Sequence, residues 1–291
     1  MVTVKPMNGI LVIDKPTGIS SHDCVNIVRR TYSTKKVGHS GTLDVEASGV
    51  LILGVNKGTK LLNYLNQDDK AYEFSVQFGV TTDTLDHSGT VTDTSPVDQL
   101  ADFDHVLESF KGAYSQMPPA YSAVKVKGKK LYEYARNQET IPDVQARDLI
   151  VYALKKQHEI VYKDGLAEVK LYVKGSKGIY VRKLAEDLAT RLNTIAHTTR
   201  IHRVQAGDFT IDDAVKLDAI TSDTPLISLS DALKSIPAYR VSEKQLFAVS
   251  NGQKLTLNHD ADLLKMVNED GKLLAIYAKE NNTYKAKNVF V

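Results

Sequence analysis

The chain has 291 residues, of which 42% are hydrophobic and 25% charged, ordinary values for a globular protein that builds one large core, or a large and a small one. No apolar run approaches the ~18 residues a membrane-spanning helix needs, the start Met1-Val2-Thr3-Val4-Lys5-Pro6 lacks the apolar core of a secretory signal, and the single Cys24 excludes an internal disulfide and multi-cysteine zinc sites. The net charge of +2 does not announce a nucleic-acid partner, so an intracellular, cytoplasmic protein with no membrane association is the expectation.

Taken in chain order, Gly9-Ile10-Leu11-Val12-Ile13 reads as a short buried strand. Ser20-Ser21-His22-Asp23 has capping-box spacing, and Val25, Val28 and Tyr32 follow on one helical face. Val50–Leu53 reads as a second buried strand. Tyr72, Phe74, Val76 and Phe78 alternate as in a half-buried strand. Residues 98–110 carry Leu100, Phe103, Leu107 and Phe110 at helical spacing. Segment 147–174 alternates through two strands joined at Lys163-Asp164-Gly165, and 178–193 fits a helix bearing Leu184, Leu188 and Leu192. Strands and helices mix without a strict βα repeat, which predicts an α+β fold with a mostly antiparallel sheet.

Charge is segregated along the chain. Residues 73–110 hold eight acidic residues and no Lys or Arg, whereas 111–136 hold six Lys/Arg against Glu133 alone. The stretch 117–146 opens with Pro118-Pro119, is lysine-rich, and has room for a short helix near 129–137. It reads as an insertion standing off the sheet. Its basic side chains suit phosphates, and the plain alternative is a solvated loop. Residues 211–240 read as a linker with a small helix at Ser230-Asp231-Ala232-Leu233. The tail is β-like, with Lys272–Tyr277 following the turn Asp270-Gly271.

The densest chemistry lies in Gly38-His39-Ser40-Gly41-Thr42-Leu43-Asp44, followed by Ala47-Ser48-Gly49. Glycine-punctuated loops adopt unusual dihedrals or approach a ligand closely. This one sets the carboxylate of Asp44 just before an apolar strand, with the imidazole of His39 five residues earlier. By itself this is compatible with a tight surface loop. There is no GxGxxG, GxxxxGK[ST] or HExxH. Gly54-Val55-Asn56-Lys57-Gly58-Thr59 has the wrong spacing for a phosphate loop.

These residues resemble the catalytic loop of the bacterial tRNA pseudouridine-55 synthase family. The similarity recurs in the family's order in Asp14-Lys15-Pro16-Thr17-Gly18, in Lys70-Ala71-Tyr72, in Pro118–Lys125 with Gly128–Glu133, and in Ser176–Arg182. The resemblance implies a pseudouridine synthase catalytic domain over 1–240 with a thumb-like arm at about 117–146. It implies a small PUA-like RNA-binding domain over 241–291, where Asn251-Gly252-Gln253 is similar to that domain's start. It also implies isomerisation of a uridine in the TΨC stem-loop of tRNA, with no cofactor and no metal, by a monomer needing no obligate protein partner.

Residue by residue, the resemblance makes Asp44 the catalytic aspartate. It could attack the sugar or the pyrimidine, or assist proton removal on a glycal-like route. Arg182 becomes its counter-ion, since a neighbouring guanidinium favours an ionised carboxylate. His39 becomes the residue that fills the stack the extruded base vacates. Tyr72 and Tyr180 become the walls of the uridine pocket, with Ile201 an apolar contact. Lys125, Lys127, Lys129 and Lys130 become contacts of the arm with the RNA backbone. Departures from the family pattern are Val45-Glu46 in place of Pro-Leu, Ser40 and Ser48 in place of Thr, and Ile201-His202-Arg203 in place of Leu-Arg-Arg. Glu46 is expected to face solvent or make a structural contact rather than share a proton with Asp44. Two rival readings stand beside this one, a guide-RNA-dependent relative acting on ribosomal RNA and a non-catalytic RNA-binding or tRNA-folding protein.

Overall fold

A computed structural model describes residues 7–65, 69–122 and 124–291. The readings made at Met1–Pro6 and at Ala123 lie outside the described residues.

The chain opens with β1 (Gly9–Lys15), buried along nearly its whole length. Helix α1 (Ser21–Thr31) starts as its capping box predicts. The Ser20 hydroxyl accepts the Asp23 N–H at 3.1 Å, and the Asp23 carboxylate accepts the Ser20 N–H at 2.9 Å. Next come β2 (Val37–Ser40), β3 (Ala47–Val55) and β4 (Asp69–Phe78), whose alternate residues from Tyr72 onward are buried. A hairpin of β5 (Val80–Thr82) and β6 (Val91–Thr94) precedes α2 (Phe103–Glu108). The helix expected over 98–110 is thus shorter. Its apolar residues are buried, but Asp102 sits at φ 55°, a left-handed conformation that an α-helix cannot contain.

After β7 (Gly112–Gln116), the basic insertion forms a hairpin of β8 (Lys125–Val126) and β9 (Lys129–Lys130), then α3 (Leu131–Arg136). Lys127 and Gly128 both have positive φ at its two-residue turn, which matches the right-handed twist of the flanking strands. Segment 147–176 yields three strands rather than two: β10 (Arg147–Lys156), β11 (Val161–Lys163) and β12 (Leu166–Ser176). The turn at Asp164-Gly165 is where it was expected, with φ 53° and 74°.

Helix α4 (Val181–Arg191), β13 (Ala196–Ala206), β14 (Phe209–Thr210) and β15 (Val215–Lys216) follow. Ser230–Leu233 makes turns instead of the expected helix. There the Ser228 hydroxyl takes the Asp231 N–H at 3.1 Å and donates to the Asp231 carboxylate at 2.7 Å, the N-cap pairing also seen at Ser20. One helical bond follows, Ala232 N–H to the Ser228 carbonyl at 3.0 Å, but the next, Leu233 N–H to the Ser230 carbonyl at 3.3 Å, closes a tighter turn and the helix does not propagate. The tail holds β16 (Ala238–Arg240), an unanticipated α5 (Glu243–Ser250), β17 (Leu263–Val267), β18 (Leu273–Glu280) and β19 (Thr283–Val289).

Two compact units emerge. One comprises Met1–Leu43, Val50–Gln67 and Gly207–Val291; the other comprises Asp44–Gly49 and Asp68–Ala206. Within the first, β15 runs parallel to β1, and β2 is antiparallel to β3. Its C-terminal part is a four-stranded sheet of order β16-β17-β18-β19. That sheet has a core of its own, built around Val249, Leu264, Met266, Tyr277 and Tyr284.

Within the second unit the strand order is β13-β4-β12-β10-β7. The ladder between β4 and β12 runs unbroken from Ala167 opposite Phe78 to Ser176 opposite Asp69. Ala47–Gly49 pairs in parallel with Ile201–Arg203. The second unit therefore ties the residues just after Asp44 to the strand of Ile201, and that strand to Tyr72 on β4. The fold is mixed α+β, as expected.

Gly49 is the tightest point of this arrangement. It has φ 104°, and a Cβ there would lie 2.2 Å from the Arg203 carbonyl oxygen. Gly128, at φ 85°, has open space around the same position. Gly128→Ala should therefore cost about 1–2 kcal/mol of backbone strain alone. Gly49→Ala should cost clearly more, read as a several-degree larger drop in melting temperature by calorimetry.

Candidate active site

Asp44 leads into a turn at Val45-Glu46, and its carbonyl accepts the Ala47 N–H at 3.2 Å. Strand pairing begins at Ala47. Backbone hydrogen bonding on both counts restricts the loop in which the family's proline is missing. The Asp44 side chain keeps 47% of its surface exposed and meets Arg182 Nη2 through Oδ2 at 2.7 Å. Glu46 does not join it. Its carboxylate lies 3.4 Å from His87 Nε2, a contact at the edge of the turn.

Arg182 is buried in the first turn of α4. Its guanidinium donates from Nη1 to the Thr84 carbonyl at 2.8 Å and from Nη2 to the Tyr121 carbonyl at 2.9 Å. Asp86 Oδ2 lies 3.7 Å from Nη1. The other oxygen of Asp86 accepts from the Thr84 hydroxyl at 2.8 Å and from Ser88 N–H and Oγ at 3.0 and 2.6 Å. A planar, permanently charged fork is thus fixed by two carbonyls and a buried carboxylate, and one of its amino groups also serves Asp44.

Tyr180 is the residue before α4. The side chain of buried Gln116 grips its backbone from both directions, with Oε1 accepting Tyr180 N–H at 2.8 Å and Nε2 donating to its carbonyl at 3.0 Å. Tyr72 is buried on β4 opposite Arg203, and its hydroxyl accepts a hydrogen bond from that guanidinium. Burial raises the phenol pKa of both tyrosines above the ordinary value, so both stay neutral near pH 7. Ile201 is buried opposite Phe74 and Ala47. Beside it, His202 Nδ1 lies 2.9 Å from the Ser48 hydroxyl.

The second unit therefore contains Asp44, Arg182, Tyr72, Tyr180 and Ile201 together. The charge of Asp44 is felt at both Tyr72 and Tyr180. His39 belongs to the first unit, half-buried on β2 opposite Leu53.

On the arm, Lys125 and Lys127 are exposed. Lys129 meets Glu139 at 2.6 Å and lies over the Tyr134 ring at 4.6 Å. Lys130 lies over the Tyr132 ring at 5.3 Å. Sequence reasoning missed Asp86, Gln116 and the two carbonyls that hold the fork. Their one signal was their position inside or beside the motifs. Among the described residues, no group of three or more His, Cys, Asp or Glu side chains is placed to hold a metal ion.

Residues 29–181 match the TruB family pseudouridylate synthase N-terminal domain. The chain belongs to this family. It is 38% identical over 288 residues to the tRNA pseudouridine synthase B of Caldanaerobacter subterraneus subsp. tengcongensis, covering 98% of this chain and 99% of that one. It is 37% identical over 295 residues to the protein of the same name from Streptococcus sanguinis, covering 98% and 100%. A solved structure of an H/ACA RNP bound to a substrate RNA containing 2'-deoxyuridine is similar with a TM-score of 0.69, over 97% of this chain and 85% of that one. At 19% identity this likeness concerns the fold. No helix among the described residues is long and apolar enough to cross a membrane.

Lysine cannot reproduce the Arg182 fork, because one ammonium cannot serve two carbonyls and two carboxylates in a plane. Arg182→Lys should lower single-turnover pseudouridine formation at least about a hundredfold, about 2.7 kcal/mol of barrier. It should also lower the melting temperature, since two partly buried carbonyls lose their donor.

Proposed function

We propose that this chain converts uridine-55 in the TΨC loop of tRNA to pseudouridine, without cofactor or guide RNA, using Asp44 as the reacting carboxylate. The observation that carries the reading is the 2.7 Å pairing of the half-exposed Asp44 with the buried, carbonyl-anchored Arg182. This sits within a family of pseudouridylate synthases and beside relatives named tRNA pseudouridine synthase B.

The reaction breaks the C1'–N1 bond of uridine, turns the freed uracil, and forms C1'–C5. The hydrogen of C5 leaves and N1 gains one, so the change is redox-neutral. Asp44 is open to an incoming ring on one side and held by Arg182 on the other. Arg182 cannot give up a proton, so it acts as a fixed positive charge. Tyr72 and Tyr180 are neutral phenols that supply stacking surface and hydrogen bonds. Extruding the base from its stack costs a few kcal/mol, and stacking on an aromatic ring returns about 1–3 kcal/mol per base. His39 occupies the vacated stack, and Ile201 lines the pocket. The C-terminal sheet serves as the PUA-like RNA-binding domain, and the enzyme works as a cytoplasmic monomer.

Pseudouridine mapping on an unmodified tRNA transcript treated with the pure protein tests the reading directly. Asp44→Asn should abolish product while tRNA affinity falls little, because phosphate contacts dominate such affinity. Glu46→Gln should stay within about threefold of the parent rate, under ~1 kcal/mol of barrier. Turnover by Asp44→Asn would overturn the assignment. A requirement for added guide RNA would favour the guide-dependent reading, and binding without any product the non-catalytic one.

The arm gives a graded expectation. Replacing exposed Lys125 and Lys127 by alanine should reduce the log–log salt slope of tRNA binding by roughly 0.7–0.9 for each phosphate left without its lysine. Lys129→Ala should reduce it less, since Glu139 already balances that charge. Filter binding between 50 and 200 mM salt measures both, and an unchanged slope would return the arm to a solvated loop.

A further inference from the structure

Lys70 stands near the start of β4, two residues before Tyr72 and so on the same face of the strand. Its cross-strand partners are Gly175 on β12 and Ala206 on β13. Neither offers a charge. Among the described residues, the charged groups that act on Lys70 are Arg203 from β13 and Lys177 just beyond β12, both cations. The adjoining Asp69 points to the other face by strand alternation and lies 3.8 Å from Lys174. Burial, reinforced by the two cations, pushes the Lys70 amine down to about 8.

The three cations border the candidate active site. Arg203 is fully buried and holds the Tyr72 hydroxyl. Lys177 is exposed and opens the stretch Lys177–Arg182 that presents Tyr180 and Arg182. A half-enclosed ammonium facing glycine, alanine and two further cations is unfavourable in the free protein. An anion placed against it removes the repulsion. Lysine meets phosphate as a point charge and needs no planar partner.

We propose that Lys70 and Lys177 form a phosphate-binding subsite that holds a phosphodiester flanking the uridine being isomerised, with Arg203 behind them supplying field rather than contact. This inference rests on the reading of the chain as a tRNA pseudouridine synthase. It makes Lys70 a substrate-positioning residue beside the pocket. Binding of the phosphodiester is then linked to protonation. As pH rises through about 8, free Lys70 loses its proton and affinity for RNA falls.

The test uses the full chain and synthetic T-arm stem-loop RNAs, with a neutral methylphosphonate replacing the phosphate 5' or 3' of the target uridine. One of the two substitutions should raise the KM of the parent protein about tenfold and change kcat less than threefold. Lys70→Gln should raise KM similarly on unmodified RNA and lose its sensitivity to that methylphosphonate. Lys70→Arg should restore binding and abolish the decline in affinity from pH 7 to 9. If Lys70→Gln does not fold, the pH profile of Lys70→Arg and the methylphosphonate response of Lys177→Gln decide. An unchanged KM in Lys70→Gln, a methylphosphonate penalty equal to the parent's, or a Lys70→Arg pH profile equal to the parent's would overturn the subsite. Failure of the parent protein to form pseudouridine in the unmodified stem-loop would instead overturn the proposed function.

Discussion

One buried guanidinium, that of Arg182, holds three separate pieces of chain. It reaches the turn that presents Asp44, the loop of Thr84 and Asp86, and the carbonyl of Tyr121 at the root of the arm. Burying such a charge is expensive unless every donor is answered. Here the answers come from two backbone carbonyls, which no pH change can neutralise, and two carboxylates. The loops do not simply carry the site. Their backbone is the lining that makes a buried arginine tolerable, so the geometry of the reacting carboxylate and the stability of the loops are the same physical fact.

The sheet of the second unit brings the remaining parts to this anchor. Parallel pairing of Ala47–Gly49 with Ile201–Arg203 sets the distance between the Asp44 turn and β13. Antiparallel pairing of β13 with β4 brings Arg203 opposite Tyr72. A one-residue slip in either pairing would turn every side chain to the opposite face. Gly49 guards the first register, since nothing larger fits against the Arg203 backbone. Gln116 has the corresponding task for Tyr180, whose N–H and carbonyl it occupies with one amide.

Much of this was readable from the chain. The period-two burial of Tyr72, Phe74, Val76 and Phe78, the capping box at Ser20, and the turn at Asp164-Gly165 are local signals, and the structure shows each of them. The pairing of Asp44 with Arg182 was legible only through the family resemblance, because 138 residues of sequence separate them and no local pattern encodes it. Asp86 and Gln116 were invisible for the same reason. The misreadings are also physical. Helical spacing over 98–110 could not reveal the left-handed Asp102. At Ser230–Leu233 the capping signal is present in the Ser228–Asp231 pairing, but after one helical bond the backbone tightens into three-residue turns, Leu233 to Ser230 and Ile236 to Leu233, so no helix follows. Helix α5 went unread although Ser242 and Gln245 carry capping-box spacing.

The hydroxyl of Tyr72 accepts from Arg203, and the phenol keeps its proton because burial opposes ionisation. One lone-pair direction of that oxygen is spent, so the proton is what Tyr72 has left to offer its surroundings. Uracil has a near-twofold axis through N3 and C6. Turning the ring about that axis exchanges N1 with C5 and one carbonyl oxygen with the other. A donor fixed in the wall of the proposed pocket would therefore meet a carbonyl oxygen both before and after the ring turns. Such a wall tolerates the substrate and product orientations alike, and lets the base reorient without first finding a new partner.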